Sequence, residues 1–321
     1  MADSTAQVPN KPPGPGRKAL VTAMRVAIVA IPLITIGALL VPWLVAAGMY
    51  LTGRASICSF RQTLESARIA QVQYGNTERI RTDGHLVRED AAGFHLWETA
   101  LGAYWVPAAS DNALQYDLGE QMRDIYGKGP TGVHQGDVVL DCGANVGVFT
   151  KKAIALGARL VVAIEPAPEN LECLRRNLAT EIAGGRVILY PKGVWDREDV
   201  LTMHIDRENS AADSFVRKLA GDQFTEQKLP VTTVDHLVRE LKLPEVNFIK
   251  MDIEGSEQKA LAGARDTIAR FRPRMAICTY HMPDDPVNVP KIVGQAKSDY
   301  RTECQCLLER SQVISQVIHF F

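Results

Sequence analysis

At 321 residues the chain has room for one large domain or two modest ones. Apolar residues at 46% and charged residues at 23% describe an ordinary globular core, and a formal net charge of −1 leaves no basic excess for nucleic-acid binding. The six cysteines (Cys58, Cys142, Cys173, Cys278, Cys304 and Cys306) include no CxxC pair, which argues against the disulfide framework of short secreted domains. They read as reduced, mostly buried thiols, and Cys304-x-Cys306 alone is a poor metal site.

In chain order, residues 1–18 are rich in Pro, Gly and small polar residues and read as a disordered tail. Residues 19–53 follow as a membrane anchor. From Val26 to Gly53 there is no charged side chain, a stretch that exceeds a hydrocarbon core of roughly 30 Å at a rise of about 1.5 Å per residue. The stretch is too long for a cleaved signal peptide. Basic residues flank it almost evenly, with Lys11, Arg17, Lys18 and Arg25 before it and Arg54, Arg61 and Arg68 after it, so the positive-inside rule gives no orientation. Pro32 and Pro42 admit a re-entrant hairpin as well as a single span. Residues 54–82 read as a polar helix or linker, and 83–130 as a small β/α cap with short strands at 85–88, 94–97 and 103–106 and a helix over 114–126.

The domain over 131–321 alternates strands (137–142, 159–164, 186–190, 246–252, 274–280) with helices (147–156, 168–180, 235–242, 256–269, 288–297). This pattern predicts an α/β, Rossmann-like, doubly wound and mostly parallel sheet, with an antiparallel hairpin over 301–321 closing it.

Chemistry concentrates at the strand ends. The first strand of this domain ends in Asp141 and runs into Gly143-Ala144-Asn145-Val146-Gly147; the second ends in Glu165. Glycines let the backbone approach a ligand, the following helix start offers free N–H donors, and Glu165 can accept both hydroxyls of a ribose. Asp141 can hold a cationic amine. A dinucleotide site would carry G-x-G-x-x-G for its pyrophosphate, and no GK[ST] phosphate loop is present. The spacing therefore favours a nucleoside cofactor with an amino-acid tail, S-adenosylmethionine, over a nicotinamide dinucleotide.

Four strings in order, GDVVLDCGANVGVFT, IEPAPENLECLRRNL, VTTVDHL and IKMDIEGSE, make the chain resemble the FkbM family of S-adenosylmethionine-dependent methyltransferases over roughly residues 83–300. The resemblance implies a class I methyltransferase fold and O-methylation of sugars, lipid-linked glycans or secondary metabolites. It implies Asp141, Gly143, Asn145 and Gly147 around the methionine part, Glu165 at the ribose, and Asn170 orienting the loop after Glu165. The membrane segment lies outside it. Because this cofactor is made in the cytosol, the catalytic domain is expected to face the cytoplasm. A nicotinamide-dependent oxidoreductase, and a non-catalytic membrane module that keeps the fold, are the alternatives.

Asp252 and Glu254 end a predicted strand, where residues two apart share a face. Both should point into the crevice at the carboxyl ends of the strands, with Lys250 on the same face and Glu257 a turn later. These carboxylates could position an acceptor hydroxyl, take its proton, or bind a divalent ion through Asp252, Glu254 and Glu257. Equally, Ser256 and Glu257 suit a helix start on structural grounds alone. His281, after the strand Met275–Tyr280, reaches the same rim and is a candidate base. Asp284 and Asp285 belong to the acceptor pocket or to a Pro-rich turn, while His134, His204 and His236 have no support for a role.

Overall fold

The computed structural model describes residues 22, 24, 28–34, 36–37, 41–55, 57–206, 209–217 and 224–321. A small antiparallel sheet comes first, formed by β1 (His85–Glu89), β2 (Phe94–Thr99) and β3 (Gly102–Pro107). The strands β4 (Val138–Cys142), β5 (Leu160–Ile164), β6 (Val187–Tyr190), β7 (Gly193–Val194), β8 (Asp199–Asp206), β9 (Phe224–Thr232), β10 (Phe248–Met251), β11 (Arg274–Cys278), β12 (Thr302–Glu309) and β13 (Gln312–Phe320) follow. Seven of them make the central sheet, in the order β6-β5-β4-β10-β11-β13-β12. The first five of these are parallel to one another, and β13 and β12 add the antiparallel edge. Every residue of β4 and β10 is buried, as expected for central strands covered on both faces. The chain moves outward from β4 through β5 to β6 and then returns to place β10 on the other side of β4. That reversal opens a crevice beyond the carboxyl ends of β4 and β10.

The sequence patterning located these five parallel strands to within a few residues. It missed the hairpin of β8 and β9, which pairs with β7 to make a separate three-stranded sheet. Both strands mix polar and apolar side chains, and β9 contains Pro230, so neither carries a clean two-residue period. The single helix expected over 256–269 is two helices, Glu257–Ala262 and Arg265–Phe271. Gly263 lies between them, and a Cβ there would sit 2.2 Å from the Trp195 carbonyl oxygen.

The polar stretch over 54–82 forms the 24-residue helix Phe60–Asp83. Ser59 and Gln62 start it with a reciprocal capping box. Buried Arg123 bonds Gln73 of this helix (2.6 Å) and Gln305 (3.1 Å) and Gln316 (2.6 Å) of the closing hairpin, so one guanidinium joins cap to sheet.

One expectation is corrected. Cys58 and Cys306 are not free thiols but form a disulfide across 248 residues of sequence. Local spacing cannot reveal such a pair; it forms because Ala55 bridges Val313 in parallel and lays the segment before the long helix along the hairpin. Cys142, Cys173 and Cys278 are buried thiols as expected, and Cys304 is a half-buried one. As for the anchor, among the described residues no helix is long and apolar enough to cross a membrane. Helix Pro42–Leu51 has ten residues, about 15 Å, half of a hydrocarbon core. The predicted tail over 1–18, and part of the predicted anchor, lie outside the described residues.

His319 in β13 is buried, its Nδ1 makes no hydrogen bond, and burial pushes its pKa down to about 4. Above pH 6.5 the ring is neutral whether the chain is folded or not. Between pH 6.5 and 4 the unfolded chain takes a proton that the fold refuses, so stability falls on acidification. The expected loss is about 3 kcal/mol, at ~1.4 kcal/mol per unit. Urea midpoints from pH 7 to 4 check this: the acid slope should be shallower in His319→Gln, and an unchanged slope would show that His319 does not cause it.

Candidate active site

The turn after β4 opens the crevice. Gly143, Asn145 and Gly147 all have positive φ (76°, 49° and 94°), and the Gly143 and Ala144 N–H groups both donate to the Ile164 carbonyl at 3.0 Å. Gly143 admits no side chain, since a Cβ there would lie 1.9 Å from the Asp252 carbonyl oxygen. The turn is thus pressed against the end of β10, and helix Val148–Ala155 leaves from it.

Gly143, Asn145, Glu165 and Asn170 line a cavity of about 610 Å³, together with Asp252 and Glu254. Glu165 is buried; its Oε2 accepts from the Asn145 N–H and its Oε1 from the Ala167 N–H, both at 2.9 Å. A carboxylate oxygen accepts more than one hydrogen bond, so Glu165 can receive ligand hydroxyls as well. Burial raises the Glu165 carboxyl, with those two N–H groups working the other way. Asn170 donates to the Ser210 carbonyl at 3.2 Å, while its buried Oδ1 makes no hydrogen bond.

Asp141 and Gly147 do not reach the cavity. Asp141 is fully buried beneath the turn, directly across from Lys250 in the ladder of β4 and β10. Its Oδ2 accepts from Thr150 at 2.6 Å, and its Oδ1 lies 3.3 Å from Lys250 Nζ. Its counter-charge is therefore the Lys250 ammonium rather than a ligand amine. Gly147 packs on Leu174 and Leu178 and shapes the turn. Lys250 also donates to the Gly143 carbonyl at 2.6 Å. Burial alone would lower its pKa, but Asp141 and Asp252 more than reverse that, so the ammonium is charged.

At the other wall, Asp252 Oδ2 accepts from the Tyr126 hydroxyl at 2.6 Å. Burial works to raise the Asp252 carboxyl, but Lys250, His281 and the Tyr126 bond outweigh it and hold it below the usual range. Glu254 pairs with Arg217 and keeps a left-handed backbone at φ 54°, an arrangement that costs a non-glycine residue about 1–2 kcal/mol. The His281 ring is buried behind this pair. Its Nδ1 lies 2.8 Å from Glu257 Oε1, and its Nε2 lies 3.4 Å from Asp252 Oδ1 and 3.2 Å from Glu254 Oε1. Burial disfavours the charged ring, yet Glu257 and Glu254 prevail and raise its pKa well above the ordinary value. Glu257 is itself fully buried; it accepts from the Ile253 and Gly255 N–H groups at 3.0 and 2.9 Å and braces the loop. Asp285 takes the Met282 N–H at 2.9 Å, which gives it a turn-forming role, and Asp284 bonds Gln258 at 3.0 Å.

Several cavity residues had no local signal. Asp117 and Tyr126 come from the cap region, and Asp213 and Arg217 from the loop between β8 and β9. Burial pushes the Asp117 carboxyl up to about 7, with the Asp252 charge adding to the effect. Asp213 is pushed up to about 8 by burial. The loop is docked by Ser210, whose N–H donates to Ser110 Oγ at 3.0 Å.

A seven-stranded, mostly parallel sheet with its cavity at the switch point defines a methyltransferase-like α/β fold. Residues 141–300 match the model of the methyltransferase FkbM domain, and through this domain the chain belongs to that family of methyltransferases. It is 28% identical over 163 residues to the hexuronic acid methyltransferase AglP of Haloferax volcanii, which covers 50% of this chain and 63% of that protein. It is 26% identical over 157 residues to the 31-O-demethyl-FK506 methyltransferase FkbM of Streptomyces tacrolimicus, covering 41% of this chain and 60% of that one. The chain thus spans less than two thirds of the length of these curated relatives. A solved methyltransferase FkbM from Methylobacillus flagellatus KT aligns over 80% of this chain and 60% of its own, at 18% identity and a TM-score of 0.47.

Proposed function

We propose that this chain transfers a methyl group from S-adenosylmethionine to a hydroxyl oxygen of a sugar-like acceptor. The observation that carries the reading is the meeting, in one cavity, of the nucleoside cradle (Gly143, Asn145, Glu165) and the acid pair Asp252 and Glu254. The cradle suits the cofactor. The turn sits where a Cβ would collide with Asp252, and Asn170 Oδ1 is buried without a hydrogen bond beside Glu165. The names of the two relatives, a hexuronic acid methyltransferase and a 31-O-demethyl-FK506 methyltransferase, support an acceptor hydroxyl.

When bound, S-adenosylmethionine supplies an electrophilic methyl carbon. On this reading Glu165 holds the ribose hydroxyls, and the turn at Gly143 and Asn145 lines the amino-acid part. Asp252 and Glu254 orient the acceptor hydroxyl. Asp117, on the same cavity wall and with a carboxyl near neutrality, takes the proton at a carboxylate oxygen. His281 stands behind the acids and does not line the cavity. Alignment of the two reactants supplies much of the rate.

Membrane attachment remains part of the proposal. It is supported by the exposed apolar side chains of Ile28, Ile34, Trp43 and Leu51, and a lipid-linked acceptor would be consistent with it. The Cys58–Cys306 disulfide weighs against a reducing compartment for the catalytic domain.

Calorimetry with S-adenosylhomocysteine tests the cofactor assignment. The full chain should bind it, and Glu165→Gln should bind about 10- to 100-fold more weakly at an unchanged melting temperature, as expected for loss of a charge-assisted hydrogen bond. Binding of a nicotinamide dinucleotide in its place would overturn the reading. Transfer of labelled methyl to hexuronate-containing oligosaccharides tests the acceptor class.

A further inference from the structure

The carboxylates at the end of β10 and the imidazole behind them form a second constellation, at the acceptor end of the cavity. One ligand atom from each of Asp252, Glu254 and His281 can be chosen so that all three lie within 4.8 Å of one another. Two carboxylate oxygens and an imidazole nitrogen bound to one ion at about 2.0–2.2 Å would be separated by distances of this order. The His281 side chain is only 1% exposed, and its Nε2 makes no hydrogen bond while facing Asp252 Oδ1 and Glu254 Oε1 at 3.4 and 3.2 Å. On the other side of the ring, Nδ1 lies 2.8 Å from Glu257 Oε1. When an ion displaces the Nε2 proton, a carboxylate there accepts the Nδ1–H and leaves the Nε2 lone pair facing the two acids, the arrangement that orients a metal-ligating histidine.

The backbone is held for the same purpose. Glu254 keeps its left-handed conformation because Glu257 takes the Ile253 and Gly255 N–H groups and Ser214 donates to the Glu254 carbonyl at 2.6 Å. Asp252 and Glu254 line the cavity, whereas His281 and Glu257 lie behind them, so an ion held by the three ligands keeps open positions toward the acceptor.

We propose that Asp252, Glu254 and His281 bind one divalent cation of the Mg²⁺ or Mn²⁺ type, and that Glu257 orients the imidazole. Two hard oxygen ligands with one nitrogen favour such an ion over thiophilic metals. This changes the ligand set expected from the sequence: His281 replaces Glu257, which acts through it. The role of the ion rests on the methyl-transfer reading, although the ligand set does not. An acceptor hydroxyl at an open position becomes more acidic. Its oxygen forms the bond to the methyl carbon, the carbon–sulfur pair stays on sulfur to give S-adenosylhomocysteine, and the proton goes to Asp117.

The test is titration of the chelator-stripped full chain with Mn²⁺, following free Mn²⁺ by its magnetic resonance signal, with S-adenosylhomocysteine affinity measured on the same samples. Wild type should bind one Mn²⁺ per chain. Glu257→Gln should weaken binding by about 10- to 100-fold and Glu254→Gln by at least about 100-fold, with S-adenosylhomocysteine affinity within about threefold in both. Thermal melts without metal show whether each variant is folded, and Mn²⁺ should raise the melting temperature of wild type far more than that of Glu254→Gln. Absence of stoichiometric Mn²⁺ binding in a chain that binds S-adenosylhomocysteine overturns the site and leaves a protonated imidazole enclosed by carboxylates. Equal Mn²⁺ affinity in a folded Glu254→Gln variant overturns it as well. Mn²⁺ binding without S-adenosylhomocysteine binding upholds the site and counts instead against the methyl-transfer reading.

Discussion

Replacing Asp252 with asparagine is expected to slow methyl transfer by about 10³-fold or more while leaving S-adenosylhomocysteine affinity within about threefold. The amide can still accept the Tyr126 hydroxyl now received by Oδ2 at 2.6 Å, so the local packing survives. What disappears is a negative charge at the cavity wall, beside His281 and opposite the cradle. Glu165 and the turn at Gly143, which line the cavity on the side proposed for the cofactor, are untouched. Single-turnover kinetics with labelled cofactor, together with calorimetry, separate the two quantities. If cofactor binding collapses along with turnover, Asp252 belongs to the cofactor pocket or to the fold, and its assignment to the acceptor is wrong.

The second large effect is on stability. Gly143→Ala should destabilise the fold by about 2–5 kcal/mol, combining the strain of φ 76° with a backbone collision. The added Cβ would meet the Asp252 carbonyl oxygen at 1.9 Å, and neither partner is a flexible side chain that could move aside. Gly136→Ala is the control, because its φ is 88° but nothing lies within 4 Å of the added atom. It carries only the torsional cost, about 1–2 kcal/mol. Urea midpoints of the two variants should therefore differ clearly, and Gly143→Ala should also lose S-adenosylhomocysteine binding. Similar midpoints would mean that the turn and the end of β10 are not pressed together.

Legibility of the site followed sequence distance. The glycine turn, Glu165 and the Asp252-Ile-Glu254 strand end each lie within a short string whose spacing has a direct geometric meaning. His281 was legible through topology, since β11 lies next to β10 and its end reaches the same rim. Tyr126 is 126 residues from its Asp252 partner, and Arg217 is 37 residues from Glu254. No local period or cap rule connects such pairs. The hairpin that carries Arg217 was itself invisible, because β8 and β9 lack a clean alternation.

By itself the sequence determined the alternating parallel sheet, the crevice at its switch point and the glycine turn with Glu165 beside it. These follow from the period of buried side chains and from glycine's backbone freedom, both of which act over a few residues. Only the tertiary structure decided which motif residues line the cavity. Register across the sheet sets Asp141 against Lys250, so the two charges neutralise each other under the turn, and Asp141 is withdrawn from the cavity. The same long-range packing joined Cys58 to Cys306 and enclosed His281 among three carboxylates. Buried charges and thiols answer to whatever neighbour the fold brings within a few ångströms, and that neighbour is seldom near in sequence.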